Sequence, residues 1–267
     1  MKKLLPGLRK NVSLKNYTTF KIGGRAKYFF VAKNKKDLIK AIKTAQKIKL
    51  PFFILGGGSN LLVSDKGFKG LVIKYGQPLS FYVSKGLEWA VGIPGTVQGA
   101  VYGNAGAFKK SMKDVVKEVE VFDTKTGEIK ILKNKDCQFS YRNSVFKKNK
   151  NLIILSVKIK TKKSNIKKIK QYLAYKKKNH PWNYPSAGSV FKNPRGFSAA
   201  ELIQRCGLKG KKIGGAKISD KHANFIINLG NAKAKDVKKL INLIKKQVKK
   251  KFGVILQEEI QFLAPKF

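Results

Sequence analysis

Apolar residues recur at Leu38, Ala41, Ile42, Ala45 and Ile48, the three-and-four spacing of a helix that buries one face. Asn34 precedes the run, Asp37 falls in its first turn and Pro51 follows it, so the pattern predicts a helix bounded at both ends. Ile166, Ile169, Tyr172 and Leu173 share one side of a second predicted helix, and Val237, Leu240, Ile241, Ile244 and Val248 mark a longer one that Gly253 is placed to stop. Ser198 and Glu201 form a capping-box pattern, which predicts a short helix closed by Gly207.

Short apolar or alternating runs predict strands at Phe52–Leu55, 71–73, 79–83 and Leu152–Ile159. Residues 119–122 and 128–132 flank Asp123-Thr124-Lys125-Thr126-Gly127, which has the length and residue types of a hairpin turn. The polar run 161–168 leads from strands into a helix and is the best place for a domain boundary. Strands and helices mix without strict alternation, which predicts an α+β fold.

A chain of 267 residues, 42% of them hydrophobic, has enough apolar surface for one large core or two to three smaller ones. Residues 1–10 hold no apolar run of signal-peptide length, and nowhere do about eighteen apolar residues follow one another, so the expectation is a cytoplasmic protein that does not enter a membrane. Cys137 and Cys206 are too few for a disulfide framework or a thiolate metal site, and no metal is expected. Charge raises a rival reading, because 59 Lys and Arg stand against 14 Asp and Glu, a formal net charge of +45 that suits nucleic acid. The lysines, however, are spread along the chain on the polar faces of the predicted helices, without an arginine stripe or an RNA-binding signature. They read as solvated faces with a general attraction for anionic ligands and no nucleic-acid partner.

Three glycine-bearing segments carry candidate chemistry: Ile22-Gly23-Gly24, Gly56-Gly57-Gly58-Ser59-Asn60 and Gly92-Ile93-Pro94-Gly95-Thr96. Glycine allows close backbone approach, so successive N–H groups can point at a diphosphate, with Ser59, Asn60 and Thr96 adding side-chain donors. None of the three is a P-loop or the G-x-G-x-x-G of a dinucleotide-binding βαβ unit.

Together with Asn16 to Gly24 and Leu55 to Leu61, these loops resemble the FAD-binding half of the UDP-N-acetylenolpyruvoylglucosamine reductase family. The resemblance continues in order through Tyr141-Arg142-Asn143-Ser144-Val145-Phe146, Gly188-Ser189-Val190-Phe191-Lys192-Asn193-Pro194, Ser219 to Phe225 and Leu256-Gln257-Glu258-Glu259-Ile260. It implies a vanillyl-alcohol-oxidase-type, two-lobed FAD-binding region at 1–74 and 75–163, then an α+β substrate-binding domain at 164–267 whose last strand lies near 255–263. The implied cofactors are non-covalent FAD and NADPH. The implied substrate is UDP-N-acetylglucosamine enolpyruvate, handled by a monomer. Cofactor contacts carried over are Gly23, Gly24, Leu55, Gly56, Gly57, Gly58, Ser59, Asn60, Gly92, Pro94, Gly95, Thr96, Ala100, Asn104 and Gly106. Gln98 departs from the family's usual glycine, and Phe108-Lys109 from its usual Tyr-Gly.

Reducing an enolpyruvyl ether needs a hydride at the methylene carbon, a proton at the adjacent carbon and donors for the charge that gathers on the carboxylate. The resemblance assigns the proton to Ser189. Arg142 suits the carboxylate because its planar fork donates two parallel hydrogen bonds. Glu259 aligns with the family's third catalytic residue, with Glu258 the neighbouring alternative. Lys192, Asn193, Lys217, His222 and Asn224 are implied substrate contacts, and Tyr175 is a further candidate for the diphosphate. A flavin oxidase would share the glycine loops but not Ser189 or Glu259.

Overall fold

A computed structural model describes residues 4–264. Strands β1 (Arg9–Ser13) and β2 (Arg25–Val31) pair antiparallel, with Arg9 opposite Phe29. Helix α1 (Lys35–Lys47) is the first predicted helix: the Asn34 side chain caps it by accepting from the Asp37 N–H at 2.9 Å, and Leu38, Ala41, Ile42 and Ala45 are buried. Strands β3 (Phe52–Leu55), β4 (Leu61–Val63) and β5 (Phe68–Lys74) follow, and a four-stranded sheet runs in the order β1-β2-β5-β3. The chain divides into two compact units. One holds the residues up to Leu8, Phe30–Gly57 and Ile73–Tyr175, and the other holds Arg9–Phe29, Gly58–Val72 and the chain from Lys176 onward.

In the first unit, residues 79–85 form a 3-10 helix where a strand was expected at 79–83. The alternating Leu79, Phe81 and Val83 do not share a buried face; Leu79 is buried, Phe81 is exposed, and Gly86 at φ +102° ends the segment. The glycine-rich stretch contains helix α2 (Val97–Gly103), whose Val97, Ala100 and Val101 sit at helical spacing and are buried. Strands β6 (Gly106–Ala107) and β7 (Lys110–Ser111) are joined by Phe108-Lys109, both at positive φ, the backbone of a two-residue hairpin turn. Helix α3 (Met112–Val115) leads into β8 (Val116–Asp123), which pairs with β9 (Ile129–Lys133) at Phe122 opposite Ile129, as the hairpin reading predicts. After helix α4 (Val145–Lys148), β10 (Leu152–Ile159) completes a sheet of order β10-β8-β9. Trp89, Val97, Met112, Val119, Val121 and Phe146 form part of the core beneath it.

Helix α5 (Ile166–Asn179) matches the second predicted helix, but its expected apolar side is only partly covered. Ile166 is exposed and Tyr172 stacks on Phe108 with ring centroids 3.9 Å apart.

In the second unit, β11 (Ser186–Ser189), helix α6 (Ala199–Arg205), β12 (Lys212–Ile213), β13 (Ala216–Ile218), β14 (Phe225–Asn228), helix α7 (Ala234–Phe252) and β15 (Gln261–Leu263) follow in order. The sheet order is β11-β14-β13-β12, and β15 pairs parallel with β4. Val237, Leu240, Ile241, Ile244 and Val248 are buried along α7, which Gly253 ends at φ +70°. The α7 N-terminus is held by the Asp65 carboxylate, which accepts from Ala234 N–H at 2.8 Å and Lys235 N–H at 3.1 Å. At α6 half of the expected capping box forms. Ser198 Oγ accepts from Glu201 N–H, while the Glu201 carboxylate turns to Arg205 at 3.8 Å.

The α+β class is the one expected from the pattern. Among the described residues, no helix is long and apolar enough to cross a membrane, and no group of three or more His, Cys, Asp or Glu could hold a metal ion.

Candidate active site

Ser189 ends β11, opposite Phe225 of β14, after a register shift between Ser186 and Ser189. Gly188 stands before it at φ +76°, a left-handed conformation that suits glycine, with nothing within 4 Å of where a Cβ would project. Beyond Ser189 the chain is pinned on both sides. The Val190 N–H donates to the Asn224 carbonyl at 2.8 Å, and the Val190 carbonyl accepts from the Glu259 N–H at 2.8 Å. Lys192 N–H donates to the Gln257 carbonyl at 2.9 Å, and Phe191 bridges to Glu258. Ser189, Lys192, Asn224 and Glu259, far apart in sequence, therefore sit on three adjoining extended segments of one unit.

The structure also separates the two neighbouring glutamates. Glu258 forms an ion pair with Lys245 of α7 at 3.2 Å. The Glu259 backbone is pinned on both sides: its N–H reaches Val190, and its carbonyl accepts from the Asn60 side-chain amide at 3.1 Å. Asn60, expected at the cofactor, thus has a structural duty that joins β4 to the Glu259 segment, where Gln261 N–H donates to the Asn60 carbonyl at 3.0 Å.

The residues of this unit expected at the substrate also make contacts within the protein. Asn224 is buried, and its side-chain amide engages both the N–H and the carbonyl of Phe191. Asn193 Oδ1 accepts from the Ala199 N–H at the start of α6. Lys217 pairs with Asp220 at 2.6 Å, which holds the Asp220 carboxyl below its usual range. His222 lies in a ring cluster with Phe225 (4.8 Å between centroids) and His180 (5.5 Å). Burial pushes the His222 imidazole below its usual value, and among the described residues its buried Nδ1 has no hydrogen-bond partner. His180 is pushed down to about 4, chiefly by burial, with the charges of His222, Lys176 and Lys221 adding to it. Lys176, buried by the fold, is lowered to about 8. Nothing in the run Lys176-Lys177-Lys178 distinguishes that lysine from its neighbours in sequence.

In the first unit, Arg142 occupies the left-handed region at φ +55°, rare for a bulky residue and strained by roughly 1–2 kcal/mol. Hydrogen bonds hold it there. Ser140 and Asn143 exchange backbone hydrogen bonds around it, Lys147 Nζ donates to its carbonyl at 2.9 Å, and its Nη2 donates to the Gly106 carbonyl at 3.0 Å. Asn104, itself at φ +44° and buried, supports the same turn by donating from Nδ2 to the Ser140 carbonyl at 2.8 Å. Asn104 and Gly106, expected at the cofactor, are therefore brought to Arg142.

The glycine segments pack closely within each unit. In the first unit a Cβ on Gly57 would collide with the Gly95 backbone, and one on Gly56 would collide with Thr96 Oγ1. Leu55 is buried at the end of β3, Gly92 takes φ +69° before Pro94, Thr96 caps α2 through Gly99 N–H, and Ala100 is buried on that helix. In the second unit Gly58 packs on the Tyr17 carbonyl, Gly23 on Val63 and Gly24 on the Asp65 carbonyl. Among the described residues none accepts from the backbone N–H of Gly57, Gly95 or Thr96 in the first unit, nor from that of Gly58, Ser59 or Asn60 in the second. Adjacent unspent N–H donors on glycine-rich backbone are the chemistry a pyrophosphate requires, so these residues fit FAD.

A sequence model described as the C-terminal domain of UDP-N-acetylenolpyruvoylglucosamine reductase matches residues 180–263. The reductase of Caldicellulosiruptor bescii is 43% identical, covering 95% of this chain and 90% of its own length. The chain belongs to the UDP-N-acetylenolpyruvoylglucosamine reductase family. The Anoxybacillus flavithermus reductase is 40% identical over 97% of this chain and 95% of its own length. Among solved structures, the family's enzyme from Thermus caldophilus superposes with a TM-score of 0.82 at 33% identity, covering 96% of this chain and all of that one. The family's C-terminal segment includes Ser189, Lys192, Asn193, Lys217, His222, Asn224 and Glu259.

Both departures from the family pattern are accommodated locally. Gln98 Oε1 accepts from the Gln77 N–H at 3.0 Å, and Phe108 packs on Tyr172 and, edge-on, Tyr175.

Proposed function

We propose that this chain reduces UDP-N-acetylglucosamine enolpyruvate to UDP-N-acetylmuramate, a step in peptidoglycan precursor synthesis, with NADPH as reductant and FAD as the bound cofactor. The observation that carries the reading is family membership over nearly the whole chain, with relatives covered almost end to end. Bound FAD would supply the hydride chemistry that links NADPH to the methylene carbon of the enolpyruvyl group.

The protein's own residues then have three tasks. The loops Gly56 to Asn60 and Gly92 to Thr96, with the close backbone approach that Gly23 and Gly24 allow, receive the FAD pyrophosphate. Arg142, held in a fixed turn, offers a planar fork to the substrate carboxylate, where negative charge collects after hydride arrival. Ser189 delivers a proton to the carbon bearing that carboxylate, which saturates the double bond. A serine hydroxyl is a weak acid, so it serves only a strongly basic carbanion whose charge is already shared with cationic donors. Lys192 lies three residues beyond it, and Glu259 on the adjoining segment orients or protonates the carboxylate of the intermediate. Lys217, His222 and Asn193 are assigned to the sugar nucleotide.

The same reading places residues 1–74 and 75–163 at FAD and 164–267 at the substrate, in a cytoplasmic monomer whose lysines attract anionic small molecules and not nucleic acid. The test is product mass. Incubated with NADPH and the enolpyruvyl sugar nucleotide, the purified holoenzyme should yield a product heavier by two hydrogens. Consumption of NADPH without that product would reject the assigned substrate.

A further inference from the structure

We infer that Asn224 is a positioning residue for Ser189, acting through the backbone of Phe191, and does not contact the substrate. The inference rests on the assignment of Ser189 as proton donor.

In an extended chain the N–H and carbonyl of one residue point to the same side and are satisfied together by a partner strand. Strand pairing between β11 and β14 stops at Ser189 opposite Phe225. Past that point the Asn224 carboxamide does the partner's work: Oδ1 accepts from the Phe191 N–H at 2.9 Å, and Nδ2 donates to the Phe191 carbonyl at 2.8 Å. The Asn224 backbone carbonyl adds a third link, accepting from Val190 N–H. Asn224 and Phe191 are 3% and 1% exposed, so water cannot replace these bonds. With its oxygen and one N–H occupied and the side chain buried, Asn224 is poorly placed to meet a sugar nucleotide.

The clamp acts where Ser189 most needs it. Gly188, one residue before, takes a left-handed φ with nothing within 4 Å of where a Cβ would project, and the register shifts across Ser186 to Ser189. The N-terminal side of Ser189 is thus permissive, and the fixed point is two residues later at Phe191. Asparagine suits the task because a carboxamide presents an acceptor and a donor side by side. Aspartate presents two acceptors and opposes the Phe191 carbonyl, and alanine leaves both backbone groups buried without partners.

The test measures both half-reactions of the holoenzyme in Asn224→Ala and Asn224→Asp, each also combined with Ser189→Ala. If Asn224 positions Ser189, flavin reduction by NADPH keeps its rate, while reoxidation by the enolpyruvyl sugar nucleotide slows by about 10²-fold, as expected for a reacting group displaced by about 1 Å. KM for the sugar nucleotide changes by less than about threefold, a split that distinguishes lost positioning from lost binding. In the Ser189→Ala background neither Asn224 change should slow reoxidation further, because the group it positions is gone. A rise in KM with kcat retained would make Asn224 a substrate contact, and full activity or an additive loss would equally overturn the inference. If Asn224→Ala does not fold, Asn224→Asp, which keeps the size and the acceptor for Phe191 N–H, decides between the same outcomes. Normal turnover by Ser189→Ala alone would instead remove the proton-donor assignment on which the inference stands.

Discussion

The backbone N–H of Glu259 donates to the carbonyl of Val190 at 2.8 Å, one residue past Ser189. Ser189 and Glu259, 70 positions apart, are thereby set in fixed register by main-chain bonds, so the relative placement of their backbones does not depend on side-chain rotamers. Ser189→Ala should therefore leave the fold and flavin reduction intact and slow substrate reduction by about 10²–10⁴-fold, the range for loss of a general acid. Stopped-flow absorbance of each half-reaction checks this. Equal slowing of both halves would point to a damaged cofactor site.

Gly57 lies against the backbone of Gly95, so any side chain must push the two loops apart. Gly57→Val should purify with much less flavin per chain than the parent protein. The ratio of visible to ultraviolet absorbance measures it, and a variant with full flavin content would remove this loop from the cofactor contacts.

Arg142 joins a strained backbone to a hydrogen bond with the Gly106 carbonyl. Arg142→Lys keeps the charge but loses the two-pronged geometry, and kcat should fall by about 10²-fold, the effect of removing one fixed donor at developing charge. Steady-state kinetics at saturating NADPH would show it.

The ring cluster of the second unit predicts a pH dependence of stability. His180 titrates near 4 in the fold, against an ordinary value of 6.5. Below pH 6.5 the unfolded chain takes up a proton that the folded chain refuses, so stability is full above 6.5 and declines as the pH falls toward 4. His222, also lowered by burial, acts in the same direction. Thermal unfolding at pH 7 and pH 5 should show a lower Tm at pH 5, and His180→Gln should narrow that difference.

Helices α1 and α7 are legible in the sequence because their stripes of Leu, Ile, Val and Ala are separated mostly by polar residues and end in strong signals, Asn34 and Pro51 for one and Gly253 for the other. The β8–β9 hairpin is legible for the same reason, its turn residues standing between β-branched runs. Helix α2 is hidden because Gly99 and Gly103 lower its local propensity, and only burial of Val97, Ala100 and Val101 stabilises it. Residues 79–85 mislead because alternation predicts a strand only where a sheet is available to cover one face. At the site, residue types and order identify the family, but not what each side chain touches. Asn60, Asn104 and Asn224 all look like ligand contacts, yet each holds a backbone carbonyl of a neighbouring segment. Asparagine carries no sequence mark that separates the two uses, since either is made by the same carboxamide.

The most direct test of the account is an anaerobic visible spectrum of the purified holoenzyme, recorded as NADPH and then UDP-N-acetylglucosamine enolpyruvate are added. The account predicts bleaching of the flavin band by NADPH and its full return on adding the sugar nucleotide. A flavin that bleaches but does not recover, or a protein that neither carries nor takes up flavin, would contradict it.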